Sequence, residues 1–139
     1  MWDWVDSALC LDKKNGRSST IHVVMLGNTP VVSNATLQTS VKKSTYGSEC
    51  VACEQAIYAV MTTRNQFRCF GCTVDEDSRI FCDNKGVILA GCGMIMLIKK
   101  RSASLEFHKT RATFLAGVIE LQHTGGDKNS PYFFNKGCG

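Results

Sequence analysis

Residues 49–74 read ECVACEQAIYAVMTTRNQFRCFGCTV, and the fold expected of this chain turns on how that stretch is read. It holds two cysteine pairs, Cys50/Cys53 and Cys69/Cys72, in a C-x2-C-x15-C-x2-C arrangement. Two residues between cysteines let one backbone turn aim both sulfurs at a single ion, and two such pairs match the spacing of four-thiolate zinc sites. Four thiolates complete the zinc tetrahedron and leave no place for water, so the expected metal is a structural staple without chemistry of its own. Arg64 and Arg68 precede the second pair, where cations offset excess thiolate charge. The competing reading is four buried or oxidised cysteines with coincidental spacing.

Between the pairs, Val51, Ala56, Ile57, Val60 and Met61 recur at helical spacing, with Ser48 or Glu49 as the start. A helix beginning at the first pair points N–H groups at thiolate charge. That serves a metal, and it equally serves a cysteine nucleophile.

Outward from this stretch the chain reads mostly as strands. Thr20–Leu26 is β-branched and apolar, with His22 as a packed strand residue, and 31–41 suits a second, exposed strand. Residues 1–10 space Trp2, Val5 and Leu9 as one or two helical turns, whose tryptophans dock on the core. On the other side, 79–82 and 87–90 flank Asp83-Asn84-Lys85-Gly86, read as a hairpin loop. The run 94–98, MIMLI, reads as a central buried strand, and 104–108, 113–121 and 131–134 supply three more. The expected fold class is α+β and β-rich: an antiparallel sheet or open barrel of about five to seven strands, with one helix and a zinc-finger-like insertion. One domain covers 1–139, with 48–74 as the zinc-binding subregion and 79–135 as a β-meander.

The composition fits a globular chain, 44% hydrophobic and 20% charged, with a formal charge of +4 that permits an anionic partner. The start shows no basic segment followed by a long apolar one, and no run approaches the ~20 apolar residues of a membrane span. With eight cysteines, these features point to a reducing compartment, cytoplasmic or nuclear, where thiols bind metal.

Three chemistries compete. Lys99, Lys100 and Arg101 with Lys109 and Arg111 gather cations around one strand connection, and Phe107, Phe114 and Tyr132 offer surfaces on which bases stack. With Arg64 and Arg68 they make a nucleic-acid surface, RNA favoured over DNA. A Cys-His protease with Cys50 as nucleophile and His108 or His123 as base is the first alternative. A zinc-stapled protein-interaction module is the second, and exposed strand edges allow a homodimer. Cys10, Cys82, Cys92 and Cys138 are irregularly spaced and read as inert buried thiols before a second metal site. The function expected from sequence is therefore a zinc-stabilised, non-catalytic, nucleic-acid-binding accessory or regulatory protein, in a style that fits viral proteins among others.

Overall fold

Among the described residues the main elements follow one another as β1 (Trp2–Asp12), β2 (Arg17–Leu26), β3 (Thr29–Leu37), α1 (Thr45–Cys69), β4 (Ser78–Cys82), α2 (Lys85–Gly91) and β5 (Ile119–His123). This computed structural model describes residues 1–42, 44–91, 112–114 and 116–125, leaving aside the side chains of 10, 11, 90 and 91. The strands form one sheet in the order β3-β2-β1-β4-β5. β1, β2 and β3 pair antiparallel, whereas β4 runs parallel to β1, and β5 parallel to β4. The expected all-antiparallel sheet or barrel is thus corrected to a mixed sheet. The 79–135 meander is corrected too, because β4 and β5 point the same way.

β1 is the central strand, and it departs from the helical turns expected over residues 1–10. Its side chains alternate, with Asp3 and Val5 fully buried on one face and Trp2 and Trp4 half-buried on the other. Pairing along both edges overrides the weak helical spacing of three apolar residues. On the second face Trp2 and Trp4 stack at 5.4 Å, and Phe81 from β4 closes on them at 6.2 and 6.0 Å.

α1 covers the first face. Ser44 caps it in an extended conformation, its Oγ accepting the Gly47 N–H at 3.2 Å, so the helix begins ahead of the expected Ser48 or Glu49. No proline or glycine interrupts it from Ser48 to Phe70. Glu49, Ala52, Cys53, Ala56, Val60 and Thr63 form its buried stripe, which lies across β1, β2 and β4 and meets Val5, Val24, Ile80 and Cys82.

The helix stops where the second cysteine pair was expected to bind zinc. Gly71 adopts φ +78, its N–H reaches Arg68 O at 3.0 Å, and the Cys72 N–H reaches Phe67 O at 2.9 Å. These are the two bonds of a Schellman stop, so Cys69-Phe70-Gly71-Cys72 is a helix terminator. Cys50 and Cys53 are buried one turn apart near the other end of α1, about 28 and about 24 Å of helix rise from Cys69. An unbroken helix therefore keeps the two pairs apart, and the four sulfurs do not converge within this chain. Asp83-Asn84-Lys85-Gly86 also differs from expectation: Asn84 Oδ1 accepts the Gly86 N–H at 2.9 Å and starts α2 in place of a hairpin. The strands expected at 94–98, 104–108 and 131–134 lie outside the described residues. Among the described residues, no helix is long and apolar enough to cross a membrane.

Arg64, expected beside nucleic acid, is buried and tied to the chain. Its guanidinium donates to Val74 O at 2.7 Å, Glu76 O at 2.8 Å and Ser78 Oγ at 2.8 Å, fastening the α1–β4 connection to the helix. Arg64→Ala leaves buried Ser78 and the two loop carbonyls without a charged donor and should cost about 1–3 kcal/mol of unfolding free energy by urea denaturation. Cys69→Ser and Cys72→Ser, both on exposed positions, should stay within about 0.5 kcal/mol of the parent in the same measurement.

Candidate active site

The register between β1 and β4 brings two aspartates together. Trp2, Asp3 and Trp4 stand opposite Arg79, Ile80 and Phe81, so Asp6, two residues further along β1, and Asp83, just past the end of β4, lie on neighbouring stretches of chain. Asp83 follows the carboxyl end of β4, Asp6 lies within β1, and the charges of both act on the Glu49 carboxyl. The chain leaves β1 toward β2 on one side and leaves β4 through α2 toward β5 on the other. In open α/β sheets such a divergence marks the crevice where ligands bind.

Glu49 comes to this region from α1. It is 6% exposed, and its Oε1 accepts the Ser7 hydroxyl at 2.8 Å, while the Cys82 thiol stands 4.0 Å from its Oε2. Ligand atoms of Glu49, Cys82 and Asp83 all lie within 4.8 Å of one another. Burial is the main reason that the Glu49 carboxyl is pushed up to about 8, and the charges of Asp83 and Asp6 add to it against the Ser7 hydrogen bond. Burial likewise raises the Cys82 thiol to about 12, helped by the Glu49 charge. Near neutral pH burial thus keeps both the Glu49 carboxyl and the Cys82 thiol mainly protonated, beside Asp83 and Asp6. Such a centre attracts divalent cations, because a cation relieves both the repulsion and the desolvation.

β5 closes the third side. Thr124 N donates to Cys82 O at 3.0 Å, and His123 Nε2 lies 3.1 Å from Asp83 O. These contacts fix the backbone that carries Cys82 and Asp83.

The residues singled out from sequence fall elsewhere. Cys50 lies in the second turn of α1, buried, with its backbone N–H inside the helix ladder, so it is not the exposed helix-start thiol that a protease dyad requires. His108, Lys99, Lys100, Arg101, Lys109 and Arg111 lie outside the described residues. Arg68 is exposed on the last turn of α1, about 28 Å of helix rise from Glu49. His22 is buried in β2 with Nδ1 at 3.6 Å from Asp3 Oδ2; burial raises Asp3 well above the usual carboxylate range and lowers His22, which favours a neutral pair. From sequence, Glu49 is expected only as a helix start and Asp83 only as a loop residue, and Asp6 is given no role. Two signals were available: an acid inside an apolar strand, and an acid on the buried stripe of a helix.

No protein-family model and no curated protein matches the chain. Solved structures do. LC11-RNase H1, isolated from compost, superposes with a TM-score of 0.74 at 11% identity, covering 96% of this chain and 90% of its own. The same enzyme in complex with an RNA/DNA hybrid gives 0.71 at 12%, with 93% and 88% covered. RNase H1 of the halophilic archaeon Halobacterium salinarum gives 0.62 at 13%, with 92% and 87% covered. The protease-reverse transcriptase of prototype foamy virus gives 0.54 at 11%, with 99% of this chain but 19% of that one covered. Likenesses at such identities speak for the fold alone, and the fold is RNase H-like.

Proposed function

We propose that this chain is a divalent-metal-dependent nuclease domain that hydrolyses the RNA strand of an RNA/DNA hybrid. The observation that carries the reading is the cluster of Glu49 and Asp83 where α1 meets the end of β4, with Asp6 of β1 close enough to raise the Glu49 carboxyl. The fold adds support, since LC11-RNase H1 shares it and has been seen with an RNA/DNA hybrid. A nucleic-acid partner agrees with the sequence reading; the non-catalytic role and the four-cysteine zinc staple find no support in the site.

The donor set fits hard divalent ions, which take carboxylate oxygens and retain several waters. Asp6, Glu49 and Asp83 would hold them, and bound ions supply activation of water and neutralisation of charge at the phosphate. The chain's own residues set the geometry. Ser7 orients Glu49 by donating to Oε1, leaving Oε2 toward Cys82 and the strand ends. The pairing of β1 with β4 ties the strand that carries Asp6 to the strand that leads into Asp83. Glu49 gives up its proton on entering the ligand-competent form, so competence rises with pH.

Incubating the chain with an RNA/DNA hybrid and magnesium or manganese should release RNA fragments, while single-stranded RNA and duplex DNA remain intact. Asp6→Asn and Asp83→Asn should each lower that rate at least about 100-fold without loss of the folded state by circular dichroism. A chain that leaves the hybrid intact with either metal overturns the proposal.

The pH dependence of stability follows from Glu49. Its pKa rises from 4.5 to about 8 on folding, so the folded state holds the proton more tightly than the unfolded one. That contribution is complete below the unfolded value and disappears as pH climbs through the folded one. Without divalent ions, Tm should therefore fall between about pH 5 and about pH 9, and Glu49→Gln should flatten the slope.

A further inference from the structure

Cys82 has no part in the proposed hydrolysis, yet its sulfur stands inside the carboxylate centre. We propose that Cys82, Glu49 and Asp83 form a mixed sulfur–oxygen site that captures a thiophilic divalent ion, zinc or cadmium, in place of the hard ions that hydrolysis needs. The inference rests on the nuclease reading for its consequence and on this chain's own geometry for its chemistry.

The ligand atoms of the three residues lie within 4.8 Å of one another, with Cys82 Sγ and Glu49 Oε2 at 4.0 Å. Tetrahedral zinc, with bonds of about 2.3 Å to sulfur and about 2.0–2.2 Å to oxygen, sets those two atoms about 3.5 Å apart. For that pair, closing on zinc takes a movement of roughly half an ångström, and an Asp83 oxygen starts within 4.8 Å of both. Three protein ligands leave a fourth position for water. Magnesium gains nothing from the thiol, because it prefers oxygen in octahedral geometry, whereas thiolate ligands select zinc over magnesium. Rigid elements carry the donors: Cys82 ends β4 with its carbonyl bonded to Thr124 N at 3.0 Å, and Glu49 rides on α1. The exchange is balanced without redox change: the Cys82 S–H proton passes to solvent as the sulfur–metal bond forms.

The test uses cadmium as the probe on the full chain, in excess magnesium, read by the ultraviolet thiolate-to-cadmium charge-transfer band and by cadmium NMR. The parent should bind one tight cadmium that magnesium does not displace, with an NMR shift typical of one sulfur among oxygen ligands. Cys82→Ser should weaken that binding by about 100-fold, and Cys69→Ser/Cys72→Ser should leave it in place. Cadmium binding unchanged in Cys82→Ser, or lost in Cys69→Ser/Cys72→Ser, overturns the proposal, as does a shift typical of several sulfurs in the parent. Manganese binding to the parent, followed by electron paramagnetic resonance, reports on the nuclease reading separately. A parent that binds cadmium through Cys82 but neither binds manganese nor cleaves the hybrid keeps the mixed site and refutes the nuclease.

Discussion

The parallel pairing of β1 with β4 is the constraint on which the rest of this structure depends. β1 enters the sheet as the first strand of an antiparallel hairpin, and β4 arrives beside it only after α1 has crossed over the sheet. Parallel neighbours need such a crossover, and the long uninterrupted helix supplies it. Because β4 lies beside the first half of β1 and stops there, residues far apart in sequence, Asp6 and Asp83, come to surround the same glutamate. The helix that made the crossover starts at that same edge, and so it brings Glu49 with it.

Packing and chemistry compete at this edge. Glu49 belongs to the buried stripe of α1, and a position on that stripe would be more stable with an apolar side chain. The sheet instead accommodates a carboxyl there, tempered by the Ser7 hydroxyl and unsettled by two neighbouring acids. Asp3 and His22 show the contrasting solution deeper under the helix, where burial pushes both toward their uncharged forms. The difference lies in solvent: the strand ends open outward at half-buried Asp83, whereas Asp3 is fully enclosed.

Much of the fold was legible locally. The β-branched run 20–26 does form a strand, the stretch after it forms an exposed one, and the apolar spacing around Ala56, Ile57 and Val60 does mark a helix. What misled was punctuation. Two cysteines beside a glycine look like a metal knuckle, yet Gly71 is there for the left-handed turn that ends α1. Asp83-Asn84-Lys85-Gly86 looks like a hairpin, yet Asn84 opens a helix, because a short polar side chain before an apolar run serves equally well as a cap. The site was hidden for a different reason. Its acids come from three separate elements, and only the strand order, a long-range property, shows that they meet.

The Arg64 tie reaches beyond the loop it fastens. One guanidinium on the helix holds the connection at Val74 and Glu76 and the first residue of β4 at Ser78. The later turns of α1 and the entry of β4 consequently open and close as one cooperative unit, with little room for partial fraying between them. Slow exchange of their amide hydrogens follows from that coupling, and it keeps the far ends of both elements, where Glu49 and Asp83 stand, in constant alignment.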